Sequence, residues 1–138
     1  MAYQTPSSAD IKTLLQQTRS IAVVGLSDKP YRASYGVSQY MQQQGYTLYG
    51  VNPMLSEALG QPAYPDLTAL PVTVDMVNVF RRSEEVPAIV DAAIAHGTKA
   101  LWLQLGVIDE AAAEKAQAAG LTVVMDRCLM VVHRQLCG

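Results

Sequence analysis

Four consecutive apolar residues, Ile21-Ala22-Val23-Val24, run straight into Gly25 and a polar loop that carries Ser27, Lys29, Arg32 and Ser34. An unbroken apolar run of this length is the pattern of a strand covered on both faces, which places it inside a parallel sheet with helices on either side. Glycine at its end lets the backbone turn sharply and leaves the main chain open to close approach. Ser34 reads as the N-cap of the next helix. Strand, glycine turn and helix N-terminus together form an anion site, because the first helical turn has unpaired N–H groups and the positive end of the dipole.

The rest of the chain repeats the alternation. Residues 8–18 read as a helix behind a serine cap, forming a lid across one end of the sheet. Strand 20–24 is followed by a helix over 34–44 closed by Gly45, and then by a strand over 47–51 ended by Asn52-Pro53. A short edge strand over 61–64 and a helical turn over 66–70 come next. Strands over 75–80, 100–103 and 122–125 alternate with helices over 83–96 and 109–119 and a last helical piece over 129–135. Ser83 and Asp109 are the expected caps of the two longer helices, and Gly97 and Gly120 their stops. This order predicts one α/β domain over 1–138, a three-layer, Rossmann-like doubly wound parallel sheet with strand 20–24 in the middle and the 1–18 helix packed on it.

Composition narrows the function. No apolar run approaches the roughly 18 to 20 residues that cross a bilayer, and the start MAYQTPSSADIK lacks the basic and apolar blocks of a secretory signal. A soluble cytoplasmic protein with no membrane partner is expected. A net charge of −2 with mixed signs argues against a nucleic-acid surface. Two cysteines, Cys128 and Cys137, make no disulfide framework, and no Cys/His spacing suits a metal.

In open α/β sheets ligands lie beyond the carboxyl ends of the strands, where the strand order reverses. Lys29, Arg32, Arg81, Arg82 and Arg127 all fall at that end, half of the ten Lys and Arg in the chain, and a polyanion is the expected occupant. The dinucleotide fingerprint is incomplete: only its first glycine is present, and Asn52-Pro53 stands where an acidic residue for the ribose belongs. A phosphate-bearing ligand other than NAD fits better, and no GxxxxGK[ST] loop occurs.

The linked motifs Gly25-x-Ser27-x-x-Pro30-x-Arg32-x-Ser34, Val51-Asn52-Pro53, Val79-Phe80-Arg81-Arg82-Ser83, Ala100 to Val107 and Val124-Met125-Asp126-Arg127-Cys128 resemble those of the small stand-alone CoA-binding proteins. These are in turn similar to the N-terminal CoA-binding domain of the succinyl-CoA synthetase α subunit. The resemblance implies coenzyme A, or an acyl-CoA, bound through its 3′-phospho-ADP portion. It puts Gly25, Leu26 and Ser27 at the pyrophosphate, with Lys29, Arg32 and Ser34 as phosphate partners. Val51, Asn52 and Pro53 then border the adenosine, Phe80 offers an apolar wall, Arg81 and Arg82 add charge, and Gln104 and Gly106 line the way to the pantetheine arm.

Catalytic groups are sparse. The histidine-bearing second domain of the synthetase has no counterpart, and no GxSxG elbow is present. His96 reads as a helix-end or surface residue, His133 as structural, Asp126 as a loop cap or ion pair, and Trp102 as core. Cys128, beside Arg127, reads as an inert thiol, with a mixed disulfide to the CoA thiol as the alternative. The favoured function is a non-catalytic CoA carrier, sensor or subunit, with a protein partner or a second copy as its context. The alternatives are a small enzyme acting on an acyl-CoA or other nucleotide-linked substrate, and an NAD(P)-type binder.

Overall fold

The computed structural model describes residues 2–138. Seven strands form one sheet in the order β3-β4-β2-β1-β5-β6-β7, where β1 is Ser20–Val24, β2 Thr47–Val51, β3 Glu57–Ala58, β4 Gln61–Tyr64, β5 Met76–Val79, β6 Ala100–Leu103 and β7 Thr122–Val124. All neighbours pair in parallel except β3 and β4, a hairpin at the edge. Its turn residues Leu59 and Gly60 both have positive φ, the geometry that matches strand twist in a two-residue loop. β1 is central, and the chain leaves it first toward β2 and then returns on its other side as β5, so the strand order reverses at β1.

Five helices cover the sheet: α1 Ser8–Gln17, α2 Ala33–Gln43, α3 Val86–His96, α4 Glu110–Ala118 and α5 Leu129–Leu136. One face carries Ala22, Val77, Val79, Leu101 and Val123 against Val86, Val90 and Ala93 of α3 and the Ala112, Ala113 and Ala116 stripe of α4. The other carries Ile21, Val23, Met76, Trp102 and Val124 against Ile11 and Leu15 of α1, Val37 and Met41 of α2, and Leu129 and Val132 of α5. Alternate strand residues thus feed opposite cores, as the period of two requires.

Three local expectations are corrected. α1 is a member of a face layer rather than an end lid, because Ile11 and Leu15 are completely enclosed among the sheet and α5. Ser34 is the second residue of α2, whose N-cap is Arg32; the Ser34 hydroxyl is drawn back to the loop, where it accepts from the Ser27 N–H at 3.0 Å. Ser83 does not cap α3 either. It opens a 3-10 turn, Ser83–Glu85, and its hydroxyl accepts from the Ile108 N–H at 2.9 Å, tying the loop after β5 to the loop after β6.

Candidate functional site

Two cavities open at the carboxyl ends of β1, β2 and β5. The first, of about 450 Å³, is polar and is lined by Gly25, Ser27, Lys29, Arg32, Ala33, Ser34, Asn52, Phe80 and Arg81. The second, of about 490 Å³, is apolar: Val24, Val51, Pro53, Pro65, Leu67, Ala88 and Ile89 form most of its wall, with Asp66, Glu84 and Glu85 at its margin. Arg81 lines both and is the boundary between them.

The loop after β1 is held from several sides. Gly25 has φ +91, and its N–H donates to the Val51 carbonyl at 2.9 Å. A Cβ there would meet the Phe80 carbonyl oxygen at 2.5 Å and Arg81 Cδ at 2.8 Å, so only glycine lets β5 and the Arg81 stem cross this closely. The Asn52 amide donates to the Leu26 carbonyl at 3.0 Å, and its Oδ1 accepts from the Met54 N–H. Leu26 turns its side chain into the core over Gly50, where a Cβ would meet it at 2.8 Å. The signal for Gly50 was its place inside a strand, which marks a close approach.

The N–H groups of Gly25 and Ser27 are therefore spent within the protein, and the expectation of bare amides there gives way to a different donor set. Ser27 Oγ accepts from the Lys29 N–H at 3.1 Å, and Ser34 Oγ from Ser27. A hydroxyl that accepts still has its own hydrogen to give. The donors at the polar cavity are thus two hydroxyls, Lys29, Arg32 and Arg81, and the N–H groups of Ala33 and Ser34 at the start of α2, since those of Arg32 and Tyr35 are taken by the Lys29 and Arg32 carbonyls. Arg32 makes no capping bond to its helix, and its guanidinium lies 5.8 Å from the Tyr31 ring centroid. Arg81 donates from Nε and Nη2 to Glu85 Oε1 at 3.1 and 2.9 Å, and this contact holds the Glu85 carboxyl below its ordinary range.

Gly25, Ser27, Lys29, Arg32, Ser34, Asn52, Phe80 and Arg81 thus meet around one cavity, and Val51 and Pro53 line the other. Leu26 offers only its backbone. Arg82 is exposed, 3.7 Å from Glu85. Gln104 and Gly106 border neither cavity. Gln104 is buried and donates to Asn78 Oδ1 at 2.9 Å, because β5 carries a buried asparagine that needs a partner. The Gly106 N–H is taken by Asp126 Oδ1 at 2.7 Å, which makes Asp126 the loop tie that the sequence suggests. Arg127 contributes its carbonyl to the Trp102 indole N–H at 2.8 Å, and Trp102 is core. Cys128 is half-buried at the start of α5, against the second core. His96 ends α3 as expected, and its Nε2 accepts from the Val74 N–H at 3.0 Å, which ties the helix end to the segment before β5. Sequence reading missed Glu85, Pro65, Leu67 and Ile89, since they meet only when the segment after β4, the turn after β5 and α3 pack together at the ends of β1 and β2.

The sheet is doubly wound, and cationic and hydroxyl donors stand beside an apolar slot at its reversal point, where open α/β sheets hold their ligands. Residues 19–134 match the family model described as the CoA binding domain, and the chain belongs to that family. It is 44% identical over 130 residues to a Bacillus subtilis protein called YneT, covering 94% of this chain and 96% of that one. A solved hypothetical protein from Pyrococcus horikoshii superposes with a TM-score of 0.93 at 35% identity, covering 96% of this chain and 94% of that one. An ADP-forming acetate–CoA ligase of Archaeoglobus fulgidus is 24% identical over 126 residues, 84% of this chain but only 18% of the ligase. Among the described residues no helix is long and apolar enough to cross a membrane.

Proposed function

We propose that this domain binds coenzyme A or an acyl-CoA through its 3′-phospho-ADP portion and acts as a carrier, sensor or subunit rather than as a catalyst. The observation that carries the reading is the pairing of a polar cavity rich in cations and hydroxyls with an apolar one, joined at Arg81. The pyrophosphate sits in the first, against Ser27, Lys29, Arg32, Ser34 and the start of α2, where charge-assisted bonds are strongest. The adenine enters the second, between Pro53, Pro65, Leu67 and Ile89, and Arg81 meets the 3′-phosphate between them. Family membership supports the ligand class.

Among the described residues that line the polar cavity there is no carboxylate, imidazole or thiol, which favours a binding role over acid–base or nucleophilic chemistry. Cys128 and His133 line neither cavity. The test is thermal unfolding of the purified protein with CoA, acetyl-CoA, NAD, NADP or ATP, preceded by denaturing extraction to identify any nucleotide carried from the cell. Binding to the folded state raises the melting temperature by mass action. The reading predicts a rise with CoA that exceeds that with NAD or ATP at equal concentration; equal or absent shifts overturn it.

A further inference from the structure

We propose that Glu85 sets how strongly this site distinguishes a ribose that carries a phosphate from one with free hydroxyls. The inference rests on the reading that the apolar cavity takes the adenosine half of a CoA-type nucleotide.

Glu85 is the one anion in contact with the arginines at the end of β5 among the described residues: Oε1 accepts from Arg81 at 2.9 Å, and Oε2 lies 3.7 Å from Arg82 Nε. The Arg81 stem lies against Gly25, where a Cβ would meet its Cδ at 2.8 Å. Its guanidinium is held to Glu85 where the two cavities meet, and Glu85 lines the same apolar cavity. Two of the five guanidinium N–H donors face Glu85, and the others remain for a ligand.

A phosphate on the ribose enters this arrangement as a rival of Glu85 for Arg81, and the carboxylate repels it. A ribose with free hydroxyls meets no such repulsion and can donate a hydroxyl to Glu85. The carboxylate therefore narrows the preference for the phosphorylated nucleotide, so that both forms are held within a modest ratio. Glu110, exposed in the first turn of α4 and lining neither cavity, supplies a carboxylate without that contact.

The experiment is calorimetric titration of the wild type, Glu85→Gln and Glu110→Gln with CoA and with 3′-dephospho-CoA at low ionic strength, each variant's fold being checked by its melting curve. Glu85→Gln should tighten CoA by roughly two- to fivefold, the scale of a half-exposed charge pair, and leave dephospho-CoA the same or weaker. Glu110→Gln should keep the wild-type ratio, and salt should erase the gain. A Glu85→Gln protein that binds CoA more weakly, or an unchanged ratio of the two affinities, overturns the inference while leaving CoA binding in place. A wild type that binds neither nucleotide removes the inference together with the reading beneath it.

Discussion

Arg32 occupies the N-cap position of α2, where its carbonyl accepts from the Tyr35 and Gly36 N–H groups but its side chain makes no capping bond, which leaves the guanidinium to meet an anion in the polar cavity. Lysine has the charge but not the fork that grips two phosphate oxygens at once. Arg32→Ala should weaken CoA binding by about 1.5–3 kcal/mol, the range for hydrogen bonds to charged groups, and leave the melting temperature of the free protein unchanged. Equal affinity by calorimetry would remove Arg32 from the site. Ser38, six residues further along the same helix, has the opposite character. It is 1% exposed and its Oγ is the one buried side-chain polar atom without a hydrogen-bond partner among the described residues. Desolvation without compensation is unfavourable, so Ser38→Ala should stabilise the fold by about 1 kcal/mol in urea unfolding. A loss of stability instead would mean that the hydroxyl is satisfied.

At the scale of elements, caps and ties set where each helix starts and therefore where the strand-end loops point. Asp109 caps α4 through a 3.0 Å bond from the Ala112 N–H, with Asp126 tying the adjoining loop. Asp109→Ala should cost about 1 kcal/mol, read as a lower urea midpoint with an unchanged slope, and should not alter CoA affinity because α4 lies away from both cavities. Asp109, Gly45, Gly97 and Gly120 were legible in sequence because caps and left-handed glycines act over three or four residues. Ser34 and Ser83 were misread for a related reason. Each is a cap residue by type, yet a partner seven residues away in one case and 25 in the other offered a better-placed N–H. The hairpin β3–β4 was half read, since a two-residue strand carries no periodicity of its own.

Across the whole molecule, α1, α2 and the loop before β2 meet α5 around His133, which is 6% exposed, shares a 2.8 Å bond through Nδ1 with the Tyr40 hydroxyl and meets the edges of Tyr40 and Tyr46. Burial lowers its pKa from the ordinary value of 6.5, and the same burial pushes Tyr46 up to about 12. The unfolded chain then binds the proton that the folded one refuses, so stability is full above the unfolded pKa and falls as the pH drops through and below about 6.5. Thermal unfolding of wild type and His133→Asn between about pH 8 and pH 5 should show the wild type losing more stability on acidification. Parallel curves would mean that His133 is not the responsible group.

Apolar period, glycine stops and cap chemistry are properties of neighbouring residues, and they were enough for every strand but β3, for the five helices and their alternation, and for the end of the sheet where cations gather. Only the tertiary structure decided which side chains reach the cavities. It took Gln104 into the sheet for Asn78, used up the Gly25 and Ser27 N–H groups, and brought Glu85 to Arg81, because a polar group takes the nearest satisfied geometry and that partner often belongs to a different strand or helix.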